Sequence, residues 1–182
     1  VNVDEFIIST GGTYDREIQK TVEIMKKNSL KFSLLHCISI YPTTLEVANL
    51  NRINFLKNFT NDVGISDHSN PEIYKYKIIA GSLLLGAEIV EKHFTILAKD
   101  KTKDGVVSAN PDQLKDISKL CKLNKSDIAD YVKENVPEIE KMKGNFTREL
   151  SDDELINRDY YQGRFASKIN GKIIFNWDET EI

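Results

Sequence analysis

The sequence predicts an α/β fold built on a parallel sheet, and three observations support this prediction. Short apolar segments alternate with segments whose apolar residues repeat at helical spacing, giving four successive β/α units. A strand–helix–strand crossover makes its two strands parallel and places them side by side. Polar side chains gather where the apolar segments end, as they do at the active-site edge of parallel α/β proteins.

The first β/α unit begins close to the amino terminus. The apolar residues Phe6-Ile-Ile predict a strand near residues 6–9, which runs into a glycine-containing turn. A helix is expected over residues 13–28, with Thr13 as its cap, because Ile18, Val22 and Met25 fall on one face.

The remaining units follow with similar spacing. Strands are predicted near residues 33–37, 63–66 and 87–92, and helices over about 45–59, 70–86 and 111–123. The helix over 70–86 has Asn70 as a plausible N-cap and Pro71 as its first residue, while Gly86 ends its apolar pattern. Pro111 opens the last of these helices.

Two of the three histidines in the chain end neighbouring predicted strands. The segment Val63-Gly-Ile-Ser-Asp-His68 ends in one of them, and Val90-Glu-Lys-His93 ends in the other. Adjacent strands lie roughly 4.8 Å apart, so the two imidazoles could reach a single metal ion. The alternative is that each histidine is simply a hydrogen-bonded residue at the end of a strand.

Side-chain alternation along the strands predicts which residues share a face of the sheet. Three sets are expected to point to one side, with their polar members at the carboxyl end: Cys37, Ser39 and Tyr41; Ser66 and His68; Ile89, Glu91 and His93. A carboxylate beside an apolar strand is costly unless it is paired, so Glu91 is either functional or a solvated or ion-paired strand end.

Composition sets the broad class of the protein. A chain of 182 residues is one domain, or one domain with a short addition, and its net charge of −3 provides no basic field for nucleic acid. No apolar run approaches the ~20 residues that cross a membrane, and no signal peptide is evident. Cys37 and Cys121 lie far apart, so reduced thiols in a cytoplasmic protein are expected. The first residue is Val1, so the chain is expected to start partway through a longer protein.

Six short motifs, taken in order, resemble those of the sialic acid (N-acetylneuraminate) synthase family, which includes the legionaminate and pseudaminate synthases. These motifs are Ile-Ser-Thr-Gly (8–11), Leu-Leu-His-Cys (34–37), Tyr-Pro (41–42), Gly-Ile-Ser-Asp-His (64–68), Glu-Lys-His-Phe-Thr (91–95) and Ser-Ala-Asn-Pro-Asp-Gln-Leu (108–114). The resemblance covers about residues 6–123, and the combination is more specific than any single motif.

The resemblance implies a TIM barrel followed by a small antifreeze-like domain. Family enzymes condense phosphoenolpyruvate with an N-acetylated hexosamine, such as N-acetylmannosamine, and release phosphate. The match corresponds to barrel strands five to eight, so residues 1–123 would be the second half of a barrel. Residues 124–156 would be a polar, helical connector, and residues 157–182 a linker and the truncated start of the antifreeze-like domain. The full-length enzyme would be a homodimer.

The resemblance also implies roles for individual residues. His68 and His93 match the family's ligands for Mn²⁺ or Mg²⁺, which acts as a Lewis acid on the sugar aldehyde. Ser9, Ser39 and Ser66 match positions that contact phosphoenolpyruvate, although position 39 is more often Asn. Tyr41 matches an aromatic residue that contacts the sugar. Asp104 matches an acidic residue that holds sugar hydroxyls or metal-bound water, within a loop where Lys101-Thr-Lys replaces the usual Pro-Gly-Pro.

Two questions stay open at the level of sequence. The product could be N-acetylneuraminate, legionaminate or pseudaminate. The chain could also be a non-catalytic half-barrel that acts only with a partner chain, because the family's acid/base glutamate and phosphate-binding lysines come from the first four strands. The catalytic residues are therefore unassigned.

Overall fold

The computed structural model describes residues 3–162 and 166–175. The helices and strands of this part of the chain are β1 (Phe6–Ser9), α1 (Asp15–Lys27), β2 (Phe32–Cys37), α2 (Arg52–Leu56), β3 (Val63–Asp67), α3 (Lys77–Leu84), β4 (Ile89–Lys92), α4 (Pro111–Leu120), α5 (Lys125–Asn135), α6 (Ile139–Lys143), α7 (Asp152–Gln162), β5 (Ala166–Ile169) and β6 (Lys172–Phe175). Two short 3₁₀ turns, Leu45–Val47 and Lys99–Lys101, complete the set.

The first four strands form one parallel sheet in the order β1-β2-β3-β4, which confirms the predicted parallel α/β architecture. The register pairs Cys37 with Ser66, and Ser66 with Glu91. All the carboxyl ends therefore meet at one edge of the sheet. The strands β5 and β6 form a separate antiparallel hairpin.

Two of the predicted helices are shorter than expected. Residues 45–59 contain a 3₁₀ turn and the five-residue α2, because Asn49 adopts a left-handed backbone with φ of 47° and interrupts the helix. The helix predicted over 70–86 starts only at Lys77, since Lys75 is also left-handed with φ of 51°. Asn70 instead accepts the Glu72 N–H, at 2.9 Å, in a turn before the helix.

Other boundaries move by a few residues. The α1 helix begins at Asp15, and its cap is Tyr14 rather than Thr13, with the Tyr14 N–H donating to Glu17 Oε2 at 2.8 Å. The β4 strand starts at Ile89 rather than 87, and α4 ends at Leu120 rather than 123.

The helices cover the outer face of the sheet through two apolar clusters. One cluster joins α1, β2 and α2, and contains the buried residues Val22, Leu34 and Ile53. The other joins β3 and α3 to the later helices and includes Val132 and Met142. The segment expected to be a polar connector therefore also buries apolar residues, because each of its first two helices presents an apolar side to α3.

Both outer strands of the sheet are open edges within the described residues. The sheet is thus a curled half-barrel of four strands, and Ile7 on β1 is 60% exposed. An apolar strand at an unpaired edge normally needs a covering partner. Among the helices of residues 3–162 none has the length and apolar character needed to cross a membrane.

The buried side chain of His36 makes the stability of the fold dependent on pH. Its Nε2 lies 2.7 Å from the Ala48 carbonyl. Burial lowers the pKa of His36 from 6.5 to about 4; the hydrogen bond to Ala48 and the charge of Glu154 oppose this shift, and the charges of Arg148 and Arg52 add to it. In the unfolded chain the imidazole takes up a proton near pH 6.5, so stability declines as the pH falls from there through about 4.

We expect protonation of His36 in the unfolded chain to lower the free energy of unfolding by roughly 3 kcal/mol as the pH falls from 6.5 to about 4, at about 1.4 kcal/mol per pH unit. Urea unfolding of the wild type and of His36→Gln at a series of pH values measures it. The difference between the two proteins should shrink as the pH falls from 6.5 to 4. A difference that does not change with pH would contradict the prediction.

Candidate active site

A cleft of about 390 Å³ opens at the carboxyl ends of the four parallel strands. Six of the seven residues predicted from sequence line it: Ser9, Ser39, Tyr41, Ser66, His68 and His93. The seventh, Asp104, lies at its margin with Oδ2 3.9 Å from His93 Nδ1. Side-chain alternation and the parallel register bring these residues together, although they are spread over much of the chain.

His68 follows β3 directly and is held in one tautomer. Its Nδ1 lies 3.0 Å from the Ile38 carbonyl, which can only accept, so Nδ1 carries the hydrogen. The lone pair of Nε2 therefore faces the cleft, where the Tyr41 hydroxyl donates to it at 2.9 Å. Burial lowers the pKa of His68, which keeps the ring neutral and able to act as a metal ligand.

His93 lies beside His68 at the end of β4. The two ring centroids are 5.2 Å apart, and the Tyr41 ring stacks on His68 at 4.0 Å. Two imidazoles at this separation could both coordinate one divalent ion. Among the described residues no group of three or more His, Cys, Asp or Glu is placed to hold a metal ion.

Glu91 lies on β4 and lines the same cleft, where its carboxylate accepts a hydrogen bond from a serine hydroxyl. Ser66 Oγ donates to Glu91 Oε1 at 2.5 Å and lies 3.4 Å from His68 Nε2. From the sequence, Glu91 could be a functional residue or a solvated or ion-paired strand end. In the structure its carboxylate is hydrogen-bonded to Ser66, a predicted substrate-binding residue. The pairing follows from the register, which places Ser66 opposite Glu91.

The β1 and β2 ends form the other wall of the cleft. Gly11 leaves room there for two neighbouring side chains, because a Cβ on it would lie 2.5 Å from Ser39 Oγ and 2.6 Å from Cys37 Sγ and would displace them. Burial raises the pKa of the Cys37 thiol, so it stays protonated and contributes a small, neutral surface.

A buried ion pair joins the two histidine-bearing strands on the face opposite the cleft, and sequence reasoning did not identify it. Lys92 Nζ donates to Asp67 Oδ2 and to the Ser69 carbonyl, both at 2.7 Å, and both charged side chains are at most 2% exposed. These two residues immediately precede His93 and His68. Alternation offered a signal, because it places a charge of each sign on the helix side of adjacent strands.

The α7 helix also reaches the cleft, through Asn157 and Arg158. The Asn157 side chain donates to the Ser39 carbonyl at 2.5 Å, and Arg158 donates to the Gly12 carbonyl at 2.6 Å. These contacts join residues more than a hundred positions apart in the chain. No local pattern in the sequence indicates them.

Comparison with known proteins relates this arrangement to one family. The profile of the NeuB family matches residues 2–133. The chain is 35% identical to N,N'-diacetyllegionaminic acid synthase of Campylobacter jejuni, a match that covers 61% of this chain and 33% of the relative. It is 30% identical to pseudaminic acid synthase of the same species, over 89% of this chain and 42% of the relative. N-acetylneuraminate-9-phosphate synthase of Drosophila melanogaster is 35% identical over 60% of this chain and 29% of the relative.

Solved structures agree in fold. The spore coat polysaccharide biosynthesis protein SpsE of Bacillus subtilis superposes with a TM-score of 0.67 at 25% identity, over 81% of this chain and 41% of that protein. The N-acetylneuraminic acid (sialic acid) synthetase of Leptospira borgpetersenii superposes with a TM-score of 0.59 at 29% identity, over 85% of this chain and 48% of that protein. The chain thus spans less than half the length of these relatives. With a family profile that matches most of its length, and with the motifs of that family placed around one cleft, the chain belongs to the NeuB family.

Proposed function

We propose that this chain is part of a nonulosonic acid synthase, which condenses phosphoenolpyruvate with an N-acetylated hexosamine and releases phosphate. The observation that supports this most strongly is the convergence of His68, His93 and Tyr41 with three serine hydroxyls in one cleft. The named relatives make sugars of this class. An N-acetylmannosamine-like substrate would give a sialic-acid-type product.

Legionaminate or pseudaminate as the product is the alternative within this chemistry. Relatives of both kinds are similar to the chain at 30–35% identity. The sequence departs from the family pattern in the loop over residues 101–104, whose Asp104 lies 3.9 Å from His93. We expect this loop to determine which sugar the enzyme accepts.

The open sheet would be barrel strands five to eight, with residues 1–123 as the barrel half, 124–156 as the connector and 157–182 as a linker and the start of an antifreeze-like domain. The boundary between residues 156 and 157 falls within α7. Parts of the segment 157–182 lie outside the described part of the chain. The whole enzyme would be a homodimer. Two free thiols, Cys37 and Cys121, favour the cytoplasm. A half-barrel that serves only as the partner of another chain is the competing function.

Each predicted site residue has a task in this reaction. His93, together with His68 Nε2 once the Tyr41 hydroxyl has released it, would hold Mn²⁺ or Mg²⁺, which when bound polarises the carbonyl oxygen of the sugar. The hydroxyls of Ser9, Ser39 and Ser66 would donate to phosphate or carboxylate oxygens without adding charge. Tyr41, stacked on His68, would pack against the sugar, and Asp104 would accept hydrogen bonds from its hydroxyls.

The chain alone is expected to release no measurable phosphate from phosphoenolpyruvate and N-acetylmannosamine. Condensation requires cations on the phosphate and a proton-transfer group at the sugar oxygen. Two lysines of the nearby loop already have carboxylate neighbours, since Lys99 pairs with Glu72 at 2.7 Å and the exposed Lys101 lies 3.5 Å from Asp100.

A phosphate-release assay with Mn²⁺ tests this expectation. Adding the first half of a NeuB-family barrel in trans should restore some turnover, and the same mixture prepared with His93→Ala serves as the control. Robust metal-dependent phosphate release by the 182-residue chain alone would show that it contains a complete site.

A further inference from the structure

The α7 helix holds two separate loops at the wall of the cleft. Asn157 Nδ2 donates to the carbonyl of Ser39, in the loop that follows β2, at 2.5 Å. The next residue, Arg158, donates through Nη1 to the carbonyl of Gly12, in the loop that follows β1, at 2.6 Å. Two consecutive side chains thus bridge the carboxyl ends of two neighbouring strands.

Arg158 extends its contact from the loop to the start of α1. It binds Glu17 through both terminal nitrogens, at 3.0 and 2.5 Å, and its guanidinium lies 4.8 Å from the centre of the Tyr14 ring. Glu17 in turn accepts the backbone N–H of Tyr14 at 2.8 Å. A single side chain therefore connects the Gly12 carbonyl, the cap of α1 and the wall of the cleft.

The α7 helix has a further anchor at its start, and this anchor also contacts the loop that follows β2, because the Glu154 carboxylate accepts the backbone N–H of Ser39. Glu154 is 1% exposed, and both of its oxygens bind Arg148, at 2.5 and 2.7 Å. Burial acts to raise the pKa of Glu154, but the hydrogen bonds and charge of Arg148 outweigh it and lower the pKa, so the carboxylate stays ionised. The buried Arg148–Glu154 pair therefore fixes the start of the helix, and Glu154 and Asn157 both hold the Ser39 loop, while Arg158 alone holds the Gly12 loop.

We propose that Asn157 and Arg158 are positioning residues of the site, which hold the loops at residues 10–14 and 38–41 so that Ser9, Ser39 and Tyr41 face a bound phosphoenolpyruvate and sugar. The identity of the ligand in this inference rests on the proposed function. The holding of the loops rests only on the contacts above. A carbonyl oxygen held by a side-chain donor is fixed more firmly than one exposed to water, and the charge of Arg158 strengthens its contact, so removal of either donor should loosen the loop it holds.

Hydrogen exchange tests the holding of the loops directly. We expect Asn157→Ala to speed amide exchange at residues 38–41, and Arg158→Met to speed it at residues 10–14, each by about tenfold, with β3 and β4 unchanged. Arg158→Lys keeps the charge and should restore part of the protection. Ile156→Ala, at a 66% exposed position on the same helix, is the matched control and should leave both loops unchanged.

Titration of phosphoenolpyruvate into the same proteins separates this inference from the proposed function. If the wild type binds it, Arg158→Met and Asn157→Ala should each weaken the affinity about tenfold or more, since small displacements of a positioning group are costly. Looser loops with unchanged affinity would reduce the two residues to a structural role and overturn the inference, as would unchanged exchange in both loops. Looser loops in a protein whose wild type binds no phosphoenolpyruvate, even when mixed with the first half of a NeuB-family barrel, would support the holding of the loops and count against the proposed function.

Discussion

Replacing His68 or His93 with alanine should weaken Mn²⁺ binding by at least about 100-fold, and in the mixture with the first half of a NeuB-family barrel it should abolish metal-dependent turnover. Loss of a group that only orients a ligand costs 10–100-fold in affinity, so loss of the ligand itself should cost at least the upper end of that range. Both residues follow the last residue of a strand and face the cleft, so the fold should persist. Isothermal titration calorimetry in metal-depleted buffer measures the affinity, and circular dichroism checks the fold.

The third histidine supplies a matched control for this experiment. His36 is buried on the helix side of β2, where it contacts the Ala48 carbonyl and not the cleft. His36→Gln should therefore bind Mn²⁺ as the wild type does, once the pH is high enough for both proteins to be folded. Wild-type affinity in either His68→Ala or His93→Ala, with Mn²⁺ added back, would remove the metal role from that residue.

Replacing Lys92 with methionine should destabilise the protein by about 3–5 kcal/mol, the largest effect on stability that we expect from a single substitution away from the cleft. The change leaves the Asp67 carboxylate buried without its partner and removes the donor that holds the Ser69 carbonyl. Because Asp67 and Lys92 adjoin the two cleft histidines, Mn²⁺ affinity should fall as well. The free energy of unfolding in urea measures the first effect.

A double variant and a control substitution in a surface ion pair show whether the lost stability comes from the buried pair. Asp67→Asn combined with Lys92→Met removes both charges and should recover part of the lost stability, since no uncompensated charge remains. Lys141→Met removes a cation from the solvent-screened surface pair with Glu46 and should cost far less stability than Lys92→Met. Equal losses for Lys92→Met and Lys141→Met would contradict the account of the buried pair.

The parts of the fold that depend on local pattern are those that the sequence predicts well. Apolar alternation places all four parallel strands to within two residues, and it also predicts that Ser66 and His68 share a face with the residues of the next strand. The helices are predicted less well. Asn49 and Lys75 turn the backbone into the left-handed region, and neither residue type forces that conformation in every context.

Contacts that depend on the folded chain as a whole could not be predicted. Asn157 and Arg158 reach the cleft only because α5 and α6 pack on the sheet helices and lead the chain back across the strand ends. The hydrogen-bond partner of Glu91 could not be predicted either. Its position at the end of β4 is compatible with a solvated carboxylate, with an ion pair and with a contact to a hydroxyl. The strand register decided between them.

The pairing of His68 and His93 around one ion is the central claim, and electron spin echo envelope modulation of bound Mn²⁺ tests it most directly. The nitrogen of a coordinated imidazole modulates the echo, so the wild-type chain should give modulation from two imidazoles, each single alanine variant from one, and the double variant from none. Modulation that persists unchanged in the double variant, or a wild-type spectrum identical to that of hydrated Mn²⁺, would contradict the account.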